Sequence, residues 1–423
     1  MRRVLQVYTT PVSLTFARGL AATMRSRGYE LVVAAGEGPE LQPFADAEGV
    51  QVHEVPMARG IAPRHDLVPT LKLVRLIRRL RPDILHVSTP KASLLGLTAG
   101  VIARSPVRLY QIRGSLLAST STGLGRGPLW AVESLCCSMA TAILCQSASL
   151  RRSLINEGVA APGRLLVPLG GSNGVDTAVR FNPDAVDQTR VEAIRQRLGL
   201  QADTPVLLFI GRLVGDKGIR ELVAAWRRLE LEVPALRLVL VGPFEERDSL
   251  DASTRDYLST HPRISLVGLD WDVAPYLALA TMLVLPTYRE GFPNVLLEAA
   301  SMRVPVVATR VDGCVDAVDD GVTGDLVPPR DADALHDAIL YGLQNPEVLR
   351  ARGIAARERA TRSFERSTMQ HAMVDIYDHL LGIRSRTQPS VIPQPALDAW
   401  TTGPLALRDL PGLPRHRSSG DPA

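Results

Sequence analysis

Residues 209–226 read "FIGRLVGDKGIRELVAAW". An apolar strand ends at Gly211, a loop carrying Gly215 and Gly218 follows, and an amphipathic helix begins. Strand, glycine-bearing turn and helix in direct succession mark a parallel α/β unit. Glycines let such a loop come close to a ligand, and the N-terminus of the helix favours negative charge. Arg212 and Lys217 add a planar guanidinium fork and a compact point charge at the same place. The pattern describes a clamp for a diphosphate, set against the plainer alternative of two solvated cations on a strand–loop–helix.

The same alternation extends in both directions. Short apolar runs at 4–8, 30–35, 51–56, 83–88, 107–112 and 142–147 read as strands, with helical stretches at 14–27, 66–80, 91–103 and 128–140 between them. It pauses over 170–205, where "LGGSNGVDTAVRFNPDAV" is rich in Gly, Asn, Asp and Pro, and restarts with strands at 206–211, 237–242, 264–268, 282–286 and 304–309. The expected architecture is α/β, with two doubly wound, Rossmann-like units over 1–180 and 181–364 facing a cleft. Ligands of open α/β sheets sit outside the carboxyl ends of the strands, so the cleft is the expected site. Helical stretches are expected at 331–344 and 347–382, and the Pro-rich, aperiodic segment 383–423 reads as a disordered tail.

A second strand end repeats the geometry with the opposite charge, in "LVLPTYREGFPNVLLEAASMRVPVV", residues 283–307. Glu290 stands before a Gly-Phe-Pro-Asn turn. Pro293 suits the first turn of a helix, where its missing N–H costs nothing, and the amides of Phe292 to Val295 are left free to grip an oxygen. Glu298 lies among Leu296, Leu297, Ala299 and Ala300. A carboxylate in such a run needs donors, and a ribose offers two hydroxyls.

"GRLVGDKG" (211–218) followed by "EGFPNVLLEA" (290–299) resembles the paired signature of the retaining, nucleotide-sugar-dependent glycosyltransferases of family 4, which have the GT-B fold; the resemblance covers about 1–382. It implies that Arg212 and Lys217 hold the donor diphosphate and stabilise its growing charge, and that Glu298 takes the ribose. Glu290 would face the donor sugar, with Gly291, Phe292, Pro293, Asn294 and Val295 contacting sugar or phosphate. Gly211 and Gly242 stand at strand ends on the same edge, and Val241-Gly242-Pro243 and Val267-Gly268 are expected to line the base pocket. The first unit would bind the acceptor, joined by a C-terminal helix at about 365–382. Two departures stand out. The loop after the first strand, "YTTPVSLTF" (8–16), has no glycine, and Arg113-Gly114 stand in "LYQIRGS" (109–115) where the family often has a sugar-binding histidine. Arg113 is expected to meet an anionic acceptor or the donor phosphate, the alternative being a surface arginine. With His86 and Lys91 in "DILHVSTPKASLLG" (83–96) and the loop at 169–176, the chain looks most like the subgroup that builds bacterial surface polysaccharides and lipid-linked oligosaccharides.

Those expectations make the chain a hexosyltransferase using a UDP-sugar, without cofactor or catalytic metal, on a glycan carried by a polyprenyl diphosphate. Retention in this family is thought to proceed by attack on the leaving-group side, so no protein nucleophile is nominated. A nucleotide-sugar epimerase of the same fold, or a non-catalytic partner of another transferase, are the rival readings. The first wants acid/base groups that the first half hardly offers, and the second sits badly with an intact Arg212, Lys217, Glu290 and Glu298.

Composition sets the surroundings. The 423 residues, 46% of them hydrophobic, suffice for two to three domains, and a net charge of +4 suits anionic ligands or a membrane surface but is too scattered for nucleic acid. Cys136, Cys137, Cys145 and Cys314 show neither metal nor disulfide spacing, which fits a reducing, cytoplasmic setting. The N-terminus turns polar too soon for a signal peptide, and no apolar run reaches the ~18 residues of a membrane span, so contact with the inner face of the membrane would be peripheral. The helix at 65–82 sets Lys72, Arg75, Arg78 and Arg79 against an apolar stripe. Packing on the sheet accounts for the stripe, while the basic face could touch anionic lipid. Asp270-Trp-Asp272 and Asp331-Ala-Asp333 precede helical patterns and read as helix caps rather than metal ligands. The Gly/Ser-rich loop 113–130 is expected to move near the acceptor.

Overall fold

The computed structural model describes residues 1–58, 60, 63–115, 117, 126–168, 173–246 and 248–383. The tail expected at 383–423, but for Ile383, and half of the 113–130 loop lie outside the described residues. The first sheet contains β1 (Arg2–Val7), β2 (Tyr29–Ala35), β3 (Gln51–Glu54), β4 (Ile84–Ser88), β5 (Val107–Ile112), β6 (Ala142–Cys145) and β7 (Leu165–Leu166). The second contains β8 (Val206–Ile210), β9 (Arg237–Val241), β10 (Ile264–Gly268), β11 (Met282–Leu285), β12 (Val306–Thr309) and β13 (Gly324–Val327). Their orders are β3-β2-β1-β4-β5-β6-β7 and β10-β9-β8-β11-β12-β13, and all the strand pairings are parallel.

Strands covered by helices on both faces must be apolar on both, which is why "VLLFI" and "RLVLV" show no alternation. One large core, with Trp226 and Phe209 fully buried, fills the second unit, and two cores lie on the opposite faces of the first sheet. In each sheet the strand order reverses once, between β1 and β4 and between β8 and β11. These are the points where connections leave to opposite faces and open a crevice.

Three expected elements differ. The 14–27 stretch is a 3-10 helix, Pro11–Ala17, and a separate α-helix, Leu20–Ser26, parted at Gly19, whose φ is +76°. The 347–382 stretch is two helices, Pro346–Ser363 and Arg366–Leu380. Between them Val175 donates to the Phe364 carbonyl (2.8 Å) and accepts from the Arg366 N–H (3.0 Å), so the two passages of chain between the units are zipped together. Such a bridge needs extended backbone at Glu365, and that stops the helix. Pro293 is the N-cap residue of helix Asn294–Ser301 rather than a member of its first turn.

Helix Arg366–Leu380 returns to the first sheet. Tyr377 is buried in the core that covers Val4, Ile84 and Leu109. Arg27 holds Asp375 and Asp378 at 3.0 and 2.6 Å, and the Tyr29 hydroxyl donates to Asp378 (2.6 Å).

Candidate functional site

The two loops at the β8/β11 crevice are bound to each other before any ligand is considered. The Asp216 carbonyl accepts the Tyr288 N–H (2.8 Å), the Asp216 carboxylate pairs with Arg289 (2.7 Å), and the Tyr288 hydroxyl donates to Glu221 (2.7 and 2.6 Å). Gly218, at φ +68°, lies so close under the Pro286 carbonyl that a Cβ would overlap it. The result is convergence of Lys217 on Glu290: the ammonium donates to Glu290 Oε1, with both side chains about 15% exposed (15% and 16%). One cavity is lined by Gly211, Lys217, Glu290 and the run Gly291 to Val295, with Arg113 across from them.

Arg212 stands apart. Its guanidinium is exposed and pairs with Glu245 at 2.9 Å, and it does not line the cavity that holds Lys217 and Glu290. Gly242 closes the strand edge, its N–H donating to the Gly268 carbonyl (2.7 Å) and its Cα pressed onto the Gly211 carbonyl. Glu298 sits partly buried in the adjoining cavity with Asn294, Arg180 and Arg366. It has no hydrogen-bond or ion-pair partner among the described residues. Burial pushes its carboxyl upward, and only the fields of Arg180 and Arg366 oppose this. The sequence demanded donors for this carboxylate, and none of the described residues supplies one.

The facing wall belongs to the first unit. Gln6, His86 and Gln111, at inward positions of β1, β4 and β5, join Tyr8 and Tyr377 in a buried polar network. The Tyr8 hydroxyl donates to Gln6 Oε1 (2.7 Å) and Gln6 Nε2 to the Tyr377 hydroxyl (3.0 Å). His86 lies 2.7 Å from Tyr377 and 3.0 Å from Gln111. Burial, with Arg113 nearby, pushes His86 down to about 3, so its ring stays neutral. Arg113 is no surface arginine: it stacks on Phe16 at 3.9 Å, donates to Gln111 (3.0 Å) and Asn173 (3.3 Å), and is pulled down to about 10 by burial. A Cβ on Gly291 would overlap the Arg113 carbonyl, so the two units touch there. They touch again where Ser149 donates to Asp316 and accepts from the Gly313 N–H (2.8 Å).

The other marked residues have local roles. Lys91 is buried on Asp66 (2.6 Å). Asp331 caps its helix through the Ala334 N–H (2.9 Å), but Asp270 and Asp272 are not caps, since Val273 precedes helix Ala274–Leu279. Asp270 instead accepts from the Asp272 N–H and the Tyr276 hydroxyl (2.9 Å each), and Arg190 pairs with both aspartates. All four cysteines are free and buried, and no group of three candidate metal ligands occurs among the described residues. The motif reading missed Gln6, Gln111 and Tyr377. A polar residue inside each of "VLQVY", "DILHVS" and "VRLYQI" was the available signal.

Residues 14–170 match the model described as a glycosyl transferase 4-like domain, and residues 204–345 match that of glycosyl transferases group 1. Both matched domains are glycosyltransferase domains, and the chain is a glycosyltransferase. This glycosyltransferase is 29% identical over 381 residues to the capsular polysaccharide biosynthesis glycosyltransferase CapM of Staphylococcus aureus, covering 90% of this chain and 98% of that one. It is 28% identical to the lipopolysaccharide core biosynthesis glycosyltransferase LpsE of Rhizobium meliloti, over 76% of this chain and 82% of the relative. Its fold is similar to that of Anabaena Alr3699/HepE crystallised with UDP-glucose, with a TM-score of 0.73 at 20% identity, covering 90% of this chain and 100% of that one. That likeness establishes GT-B architecture.

Proposed function

We propose that the glycosyltransferase moves a hexosyl unit from a UDP-sugar to a polyprenyl-diphosphate-linked saccharide, with retention of configuration, in the assembly of bacterial surface polysaccharide at the cytoplasmic face of the membrane. The observation that carries the reading is the Lys217–Glu290 pair at the strand-order reversal, facing the Gly291–Val295 backbone in one cavity. The UDP-glucose bound to the HepE neighbour and the names of the CapM and LpsE relatives favour this donor and this pathway class.

In this reading the arriving diphosphate takes the Lys217 ammonium and frees Glu290 to meet the sugar. Arg212, itself exposed, leaves its half-buried partner Glu245 at 2.9 Å to join Lys217 on the diphosphate. Two fixed cations then meet the charge that grows on the leaving group as the glycosidic bond breaks, the electrostatic contribution that dominates such reactions. Glu298 accepts the ribose hydroxyls, and Gly211 and Gly242 keep the strand edge open to the nucleotide. Arg113 faces the phosphate or an anionic acceptor from the first unit, over 1–180 with the helix of 365–382, while 181–364 carries the donor. No cofactor or metal has a part in this scheme.

Purified protein incubated with a panel of UDP- and GDP-sugars tests it. Release of nucleoside diphosphate, with the transferred sugar keeping its anomeric configuration, is expected. Recovery of donor with an inverted ring substituent would establish the epimerase instead, and no binding or turnover of any donor would sink the enzyme reading.

A further inference from the structure

The turn Gly215–Lys217 presents the Lys217 ammonium, and the loop that follows β9 is laced to it. Leu213 donates to the Pro243 carbonyl (2.8 Å), so that loop first runs parallel to the chain leaving β8. Asp248 then makes two contacts with the turn itself. Its carbonyl accepts the Gly215 N–H (3.0 Å), and its Oδ2 accepts the Asp216 N–H (2.6 Å). A Cβ on Gly215 would come within 2.8 Å of the other carboxylate oxygen, so the bare glycine lets the carboxylate close on the turn.

Asp248 is exposed, and its φ of +61° lies in the left-handed region. A residue other than glycine holds that conformation where surrounding bonds over-determine it, and such residues gather at functional sites. A plain surface loop needs neither the strained backbone nor the double contact. The other side of the turn is committed as well. The Asp216 carbonyl accepts from the Tyr288 N–H and the Thr287 hydroxyl (3.2 Å), and the Asp216 carboxylate holds Arg289. The loops after β8, β9 and β11 therefore meet at Asp216, and Lys217 is the next residue. The β9 loop also reaches the second cation of the motif, since Glu245 pairs with Arg212. It is anchored in turn on helix Ala252–Thr260, whose Arg255 lies over Phe244 at 5.3 Å and donates to the Glu245 carbonyl (3.4 Å).

We propose that Asp248 is a positioning residue for sugar transfer: it clamps the Gly215–Lys217 turn from the β9 loop and fixes the Lys217 ammonium where the donor diphosphate arrives. An ammonium held in place has no reorganisation to undergo as charge grows on the leaving group, which is the condition for its electrostatic effect. Without the carboxylate the Asp216 N–H loses its partner, and the turn keeps a single backbone bond to Asp248. The inference rests on the diphosphate role proposed above for Lys217.

Steady-state release of nucleoside diphosphate and calorimetric titration with UDP test it on the full-length protein. Asp248→Gly relaxes the left-handed backbone but removes the carboxylate. Turnover and UDP affinity should each fall roughly tenfold, as displacement of a positioned group commonly causes. Asp248→Asn keeps an acceptor oxygen and tolerates the left-handed region, so both quantities should return to within about twofold of wild type. In a Lys217→Ala background, Asp248→Gly should change either quantity by no more than about twofold, because residues that act as a unit are not additive. If Asp248→Gly fails to fold, Gly215→Ala sets a methyl group against the same carboxylate and should show the same losses. Wild-type turnover and affinity in the variant that folds, a loss that Asp248→Asn does not rescue, or full additivity with Lys217→Ala would overturn the proposal. The two readings fail separately. A folded Lys217→Ala with the wild-type rate removes the diphosphate assignment, whereas an impaired Lys217→Ala beside an unimpaired Asp248→Gly removes only the role of Asp248.

Discussion

Glu298 is costly for the fold, and the ribose role proposed for it would give that cost a use. Burial raises its carboxyl above the ordinary range, so the native state holds the proton over a pH window in which the unfolded chain has released it. Stability therefore falls as pH rises through that window. Glu298→Gln removes the ionised form: the unliganded variant should melt higher than wild type at pH 7, by about 2–4 °C for each kcal/mol released. The difference should vanish below about pH 4, where both states are protonated. UDP affinity should fall roughly 10- to 100-fold, the worth of hydrogen bonds to a charged group. Calorimetric melting and titration measure both; a variant that melts lower, or binds UDP as well as wild type, contradicts the ribose assignment. Glu298 was legible as an anomaly in an apolar run. Arg113 was legible only as an arginine at a strand end, because its burial depends on Phe16, 97 positions earlier, and on Asn173, brought close by the crossing of the chain.

At the scale of elements, the strand that feeds a loop matters less than what ties the loops together. The Tyr288 hydroxyl reaches Glu221 in the first turn of the helix after Lys217, and with the Asp216 contacts to Tyr288 and Arg289 it helps set the separation of the two motifs. Tyr288→Phe leaves a carboxylate unanswered. It should lower stability by ~1 kcal/mol and turnover roughly tenfold, as small displacements of a positioned cation do. Unchanged steady-state rates would show that the loops hold their places without it. Eleven of the thirteen strands followed from apolar runs bounded by turn residues; β7, of two residues, and β13, begun by Gly324, were too short or too mixed to register. The break at Phe364–Glu365 was hidden for another reason. Its cause is a hydrogen-bonded bridge to Val175, which no local pattern announces.

At the scale of the molecule, the cleft is closed by backbone contact between Gly291 and Arg113 and by the Ser149–Asp316–Gly313 cluster. Gly291 has no left-handed φ, so alanine there strains nothing locally and meets only the other unit. Gly291→Ala should keep both sheets intact yet hold the units apart, seen as a larger radius of gyration in X-ray scattering together with a fall in turnover; an unaltered scattering curve at full activity would refute closure through this contact. The two-sheet plan was legible because each unit repeats a local pattern. How the units meet was not, since Gly291 shows its value only when the Arg113 backbone of the other unit is present. The central claim is that Lys217 carries the diphosphate, and turnover of the preferred nucleotide sugar by Lys217→Ala tests it most directly. Loss of a preorganised charge partner should cut nucleoside diphosphate release by roughly 10²-fold or more with the fold intact; a folded variant that turns over at the wild-type rate would contradict the account.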